Sequence, residues 1–283
     1  MEKLISGKVR DVFDVSDDRL VIVTTDRISA FDVILSKPVF GKGKVLNAVS
    51  LYWFDFTKDI IQNHIISSDL KEMPDYFQKS EFEGRTVLVK RVKILPFEFV
   101  VRGYIFGNMW EAYLRNEDFC GHKTNGEYQM AGKLDRPILT PSTKAHVGHD
   151  EYVSFKDVAD TVGAELADRI TETSLKLYDT CYQFAYKKGI IIADTKFEFG
   201  LDSDGALYLA DEIFTPDSSR FWNNADYMIG VSPKSYDKQF VRDWLLNNKM
   251  GGEMQFSNVP DDILSKTADI YTQCAARLLC LNN

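Results

Sequence analysis

From Ala193 to Phe199 the chain alternates apolar or small residues with ionisable ones, and a period of two is the signature of a β-strand. On that reading Asp194, Lys196 and Glu198 share one face, and Ala193, Thr195, Phe197 and Phe199 share the other. Three ionisable side chains on one face make either a solvated sheet surface or the floor of a polar site, and the stretch alone leaves both open. The next strand weighs on the choice. If Asp204-Gly205 is a two-residue type I′ turn, Ser203 faces Ala206 and the register sets Glu198 opposite Asp211. Facing carboxylates, about 4.5–5.5 Å apart at Cβ, repel unless a proton or cation lies between them. Magnesium suits such a pair, because it takes one or two carboxylates and fills its other positions with phosphate oxygens and water. Lys196 would then neutralise a phosphate oxygen in the transition state.

The rest of the chain reads as an α+β fold. Strands are predicted at 8–15 and 19–25, around the turn-prone Ser16-Asp17-Asp18, then at 86–92, 97–104, 189–201 and 207–213. Helical spacing covers 46–61, 164–188, with Gly189 as its stop, 236–247 and 261–281. The segment 120–150, dense in Gly, Lys, Thr and Pro, reads as irregular. A boundary near Val92 to Pro96 would divide the chain into residues 1–95 and 96–283.

At 283 residues, 45% hydrophobic and 27% charged, the chain can bury a sizeable core, and no Pro-, Gly- or Ser-rich tract interrupts it. Subtracting 42 acidic from 34 basic residues gives a net charge of −8, which argues against nucleic acid as a partner. No apolar run approaches about 18 residues, so neither secretion nor a membrane span is expected, and a cytoplasmic location follows by default. Cys120, Cys181, Cys274 and Cys280 lack metal-ligand spacing and read as buried free thiols. His146 and His149 are close enough in sequence to raise a metal pair, a weaker reading.

Other clusters carry recognisable chemistry. Asp217-Ser218-Ser219-Arg220 combines an acid, two hydroxyls and a guanidinium, suited to holding a phosphate or carboxylate or to making a capped turn. Alternation from Pro96 to Arg102 puts Glu98 and Arg102 on one side of a strand, and Thr140-Pro141-Ser142-Thr143-Lys144 offers hydroxyls and an amine. Ser6-Gly7-Lys8-Val9-Arg10 has neither Walker nor Rossmann glycine spacing, yet a glycine entering a hairpin lets backbone N–H groups approach phosphates.

Taken in order, Gly7 to Phe13, Asp26 to Asp32, Pro96 to Gly107, Pro141 to Ala145, Asp194 to Gly200, Asp211-Glu212 and Asp217 to Trp222 resemble the SAICAR synthetase family over nearly the whole chain. The resemblance implies a two-lobed α+β enzyme related to ATP-grasp and kinase-like nucleotide folds, with residues 1–95 covering ATP and 96–283 holding metal and substrate. It implies that ATP phosphorylates the carboxylate of CAIR and that the amine of L-aspartate then displaces the phosphate. Gly7, Lys8, Val9 and Arg10 would cover the ATP phosphates, and Lys90, Arg91, Val92 and Ile94 would line the adenine. Glu198 and Asp211 would hold magnesium, with Lys196 beside the reacting carboxylate. Arg102, Arg220, Ser218 and Ser219 would grip the nucleotide substrate, joined by Asn108, Ser142, Thr143 and Lys144, with Ser29 and Asp32 near the acceptor. Asn108 departs from the family, which carries serine after the glycine at this point, and brings an amide in place of a hydroxyl. The chain also ends too soon after its last helix for the carboxylase domain fused to some relatives.

Two rival readings use the same lobes: a small-molecule kinase and a nucleotide-binding regulator without turnover. The kinase HRD and DFG patterns are absent, and Lys196, Glu198, Asp211 and Arg220 argue against a silent regulator. Oligomeric state is not legible from the sequence.

Overall fold

The computed structural model describes residues 1–124, 126–144, 151–250 and 252–279. It opens with a meander of β1 (Lys3–Ser6), β2 (Arg10–Ser16) and β3 (Arg19–Thr24). A small hairpin, β4 (Ser29–Ala30) and β5 (Val33–Ile34), precedes α1 (Lys42–Phe56), and β6 (Ile65–Ser67) and β7 (Thr86–Lys90) complete an antiparallel sheet ordered β1-β2-β3-β7-β6. Alternation along β3 sends Val21 and Val23 to one face, against Phe13, Phe77 and Leu88, and Ile22 to the other, with Val87 and Val89.

The chain continues through β8 (Lys93–Ile94), β9 (Phe97–Tyr104), α2 (Asn108–Leu114), β10 (Lys133–Thr143), α3 (Phe155–Val162), α4 (Ala164–Lys187), β11 (Ile190–Leu201), β12 (Leu207–Ala210) and β13 (Ser219–Asn223). It ends in α5 (Gln239–Asn247) and α6 (Asp261–Leu279). The second sheet runs β10-β9-β11-β12, and β8 and β13 also pair with the long β11. Phe97, Phe99 and Val101 from β9 and Phe197 and Phe199 from β11 form its apolar back. Against that back lies α4, whose buried Ala167, Ile170, Ser174, Leu177, Tyr178, Cys181 and Ala185 recur at three- and four-residue spacing. Trp53 of α1 joins the same core, so α1 ties the two halves together.

Two expectations are corrected. Residues 120–150 are not irregular throughout, because β10 occupies eleven of them; Pro137 and Pro141 hid the strand. Its place at the end of the sheet path explains the tolerance, since an edge strand can lack the N–H that proline removes. The turn after β11 is a three-residue loop, not a type I′ turn. Gly205 N–H donates to the Asp202 carbonyl at 3.1 Å and Asp202 N–H to Ala206 at 3.1 Å, with Gly205 at φ +78°. The Asp202 carboxylate accepts from the Asp204 and Ala206 N–H groups and locks the loop. The extra residue shifts the pairing, so Glu198 faces Ala210.

Candidate active site

The polar face of the second sheet forms the floor of the site. Arg102 pairs with Asp194, Val100 with Lys196 and Glu98 with Ser142, so the alternation that buries the phenylalanines behind brings Glu98, Arg102, Asp194, Lys196, Glu198, Thr140 and Ser142 forward. This is no solvated surface: Asp194 is 5% and Glu198 4% exposed.

At one end carboxylates and cations interleave. Lys196 ion-pairs with Glu98 and lies 3.5 Å from Glu198, which is also bonded by Lys144. Arg10 reaches from the first sheet to Asp211 at 2.7 Å and Glu212 at 2.9 Å. Asp211 lies one residue beyond the pairing that sequence reasoning gave it, in the left-handed region at φ +60°, and its carboxylate turns toward Arg10. Burial alone would lower the Lys196 pKa, but Glu198, Glu98 and Asp211 outweigh it and keep the ammonium charged well above the usual lysine range. Burial would raise Glu198, yet Lys196 and Lys144 hold it down as a carboxylate. Behind Asp211, burial pushes His64 down to about 4 and keeps it neutral.

These acids suit a divalent ion. Glu198 and Asp211 both act on Arg10 and on Lys196, so each lies close to the same two cations. Among the described residues no group of three or more His, Cys, Asp or Glu could hold a metal alone. Two carboxylates completed by substrate oxygens match magnesium's habit.

At the other end Arg102 donates to Asp194 at 3.0 Å and to Thr140 Oγ1 at 2.9 Å, and Arg220 pairs with the same Asp194. Ser219 and Thr195 share a hydrogen bond of 2.8 Å, and the Ser218 hydroxyl accepts from Thr215 N–H at 3.1 Å. Arg102, Lys196, Ser218, Ser219 and Arg220 line a cavity of about 200 Å³ with Asp194, Asp217, Asp237, Lys238 and Arg242. Gly107, at φ +57°, leaves room for Arg220: a Cβ there would stand 2.8 Å from its Nη2.

The remaining predicted residues fall outside the cavity lining. Gly7 N–H donates to the Arg10 carbonyl at 2.8 Å, the Val9 carbonyl accepts from Thr25, and Lys8 ion-pairs with Asp32 at the tip of the β4–β5 hairpin. Ser29 is buried in that hairpin. Lys90 binds Asp202 at 2.6 Å, Arg91 pairs with Asp14, and Val92 and Ile94 lie against Gly200 where the chain passes from one sheet to the other. Asn108 donates to the Tyr152 hydroxyl at 2.8 Å, Thr143 Oγ1 accepts from Glu151 N–H, and Lys144 serves Glu198. His146, His149 and Cys280 lie outside the described residues. Cys120, Cys181 and Cys274 are free thiols, and burial pushes Cys120 up to about 12.

Sequence reasoning missed Lys42, Asp237, Lys238 and Arg242. Lys42 is buried 2.8 Å from Asp217, to which Tyr271 also donates at 2.6 Å. An isolated lysine in sequence carries no sign of such a partner, whereas Asp237-Lys238 and Arg242 at the start of a predicted helix offered a mixed-charge cluster.

Comparison with known proteins supplies the chemical context. Residues 3–259 match the family model described as SAICAR synthetase. The chain is 48% identical over 275 residues to the phosphoribosylaminoimidazole-succinocarboxamide synthase of Maridesulfovibrio salexigens, covering 96% of this chain and 92% of the relative. To the synthase of the same name from Chromobacterium violaceum it is 46% identical, with 98% of each chain covered. Among solved structures, the SAICAR synthase of Saccharomyces cerevisiae complexed with SAICAR superimposes with a TM-score of 0.91 at 39% identity, covering 100% of this chain and 96% of that one. A SAICAR synthetase in complex with ADP, at 22% identity, shares the fold with a TM-score of 0.73, covering 99% of this chain and 98% of that one.

Proposed function

The chain belongs to the SAICAR synthetase family, and from that premise we propose how its residues carry out the ligation. The reaction is ATP-dependent: the carboxylate of CAIR is phosphorylated, and the amine of L-aspartate displaces the phosphate to give SAICAR, ADP and phosphate in de novo purine biosynthesis. The fold is the α+β fold of SAICAR synthase, related to ATP-grasp and kinase-like nucleotide folds. A cytoplasmic location accompanies this reading.

In our assignment residues 1–95 form the lobe that covers ATP, and residues 96–283 hold the metal and substrate site. The Gly7–Arg10 loop faces the phosphates, and residues 90–94, at the crossing between sheets, face the adenine. Arg102, Arg220, Ser218 and Ser219 hold CAIR by its anionic groups, and Lys238 and Arg242, cations of the same cavity, receive the carboxylates of L-aspartate. Asn108, Ser142, Thr143 and Lys144 border this site, with Ser29 and Asp32 on the acceptor side. Glu198 and Asp211 hold magnesium, which when bound draws charge from the phosphate oxygens.

A carboxylate oxygen of CAIR attacks the γ-phosphorus and ADP departs. The resulting acyl phosphate is a competent acyl donor, because phosphate leaves where oxide cannot. Lys196 carries this assignment. Its ammonium stays charged between Glu98 and Glu198, midway between the arginine end and the carboxylate end of the floor, where transferred charge develops.

The test is ADP release from purified protein with magnesium-ATP and CAIR, with and without L-aspartate, while the adduct is followed by mass. Aspartate-dependent release with adduct is expected. A phosphorylated acceptor that aspartate does not consume would indicate a kinase, and absence of turnover would indicate a regulator.

A further inference from the structure

Ligation poses a proton problem that these residues leave open. L-Aspartate carries its amine as an ammonium at neutral pH, and an ammonium has no lone pair with which to attack an acyl phosphate. A group in the cavity must take that proton. Three aspartates line the cavity. Asp194 is held by Arg102 and Arg220, and Asp217 by Lys42 and Tyr271, so both carboxylates are already engaged by partners.

Asp237 differs. It is 3% exposed, accepts from the Ser235 hydroxyl and from Gln239 N–H at 2.6 Å, and among the described residues forms no salt bridge. Lys238 and Arg242 line the same cavity, so Asp237 and two bases from its own stretch of chain face the space, the charge complement of an amino-dicarboxylate. We propose that Asp237 is the base that deprotonates the ammonium of L-aspartate, an assignment that rests on the ligase reading above.

The step balances. One N–H proton passes to the Asp237 carboxylate, and the freed lone pair forms the C–N bond to the acyl carbon. The C–O bond to phosphate breaks, and the phosphate leaves with that electron pair and takes the second N–H proton. Asp237 then returns its proton to water. The surroundings favour uptake: burial pushes the Asp237 pKa up, and the Ser235 hydrogen bond, Arg220 and Arg242 only partly oppose it. From α6, Tyr271 and Cys274 also face it, both kept neutral because burial pushes them well above their usual values, and Lys238 adjoins it in the chain.

Asp237 also accepts from the N–H of Gln239, the first residue of α5, through Oδ1, a bond that the amide oxygen of asparagine can keep. Asp237→Asn therefore keeps that bond and removes the base. Full-length protein and variant are compared with magnesium-ATP and CAIR, using either L-aspartate or hydroxylamine, which is neutral at pH 7 and attacks without a base. The variant should lose about 10²-fold or more in kcat with L-aspartate, while hydroxamate formation stays within about twofold of the parent. Equal loss with both acceptors overturns the proposal in favour of a structural prop, and no loss with either overturns it outright. Asp237→Glu, which keeps the carboxylate, should recover most of the aspartate-dependent rate; a glutamate no better than asparagine also overturns the base. If the parent protein itself makes no aspartate adduct, the ligase reading fails instead.

Discussion

Lys42, the first residue of α1, sets its ammonium 2.8 Å from the Asp217 carboxylate with both side chains withdrawn from solvent, bonding α1 to the turn that carries Ser218, Ser219 and Arg220. A cation in the first turn of a helix opposes the macrodipole, and burying it costs several kcal/mol unless a partner offsets the loss. Lys42→Met leaves Asp217 with the Tyr271 hydroxyl and with Lys238 at 3.7 Å. The variant should be about 3–5 kcal/mol less stable in urea unfolding at pH 7. Burial would raise the Asp217 pKa, but Lys238, Lys42 and Tyr271 hold it below the usual carboxylate range. The contribution of the pair is therefore complete above the unfolded value of about 3.9 and is lost as pH falls toward the folded one. The gap between parent and variant should narrow below about pH 4; widening there contradicts the pairing.

Lys196→Met tests the centre of the floor. It removes the cation that pairs with Glu98 and lies 3.5 Å from Glu198 and should lower kcat by about 10²–10³-fold, the usual scale for loss of one transition-state stabiliser. Circular dichroism should be unchanged, because the phenylalanine back of the sheet is untouched. Arginine should restore little, since its planar fork cannot occupy the place of a compact ammonium. A variant that ligates normally removes Lys196 from the chemistry.

What was legible in the sequence follows periodicity. The long α4 and the strands around Lys196 announced themselves because each buries one face, and burial writes a period of 3.6 or 2 into the residues. The polar floor was legible for the same reason. Its register was not, because Asp204-Gly205 serves a type I′ turn or the last two residues of a longer loop, and the Asp202 carboxylate decides between them. The pairings Lys42–Asp217 and Arg10–Asp211 are long-range, and no local pattern encodes them.

Gly107→Ala should injure nucleotide binding without removing a charged group. The added Cβ would meet Arg220 Nη2 at 2.8 Å and would hold an L-residue at φ +57°, a conformation costing on the order of 1–3 kcal/mol. Displacing Arg220 from Asp194 should raise KM for CAIR about tenfold or more and leave KM for ATP near its parent value. A rise confined to ATP would move Arg220 out of the substrate grip.

Magnesium titration separates two roles for the carboxylates. Glu198 and Asp211 sit among Lys144, Lys196 and Arg10, so each acid serves either to bind the metal or only to aim its cationic neighbours. If they bind it, Glu198→Gln and Asp211→Asn should each raise the magnesium concentration for half-maximal rate by about tenfold or more, given that even outer partners of a metal site cost 10–100-fold. Saturating magnesium should then recover part of the rate. If they only aim Lys196 and Arg10, kcat falls while the magnesium midpoint stays where it was. The second outcome would remove both residues from the metal site, even though their arrangement meets magnesium's preference for one or two carboxylates completed by substrate oxygens.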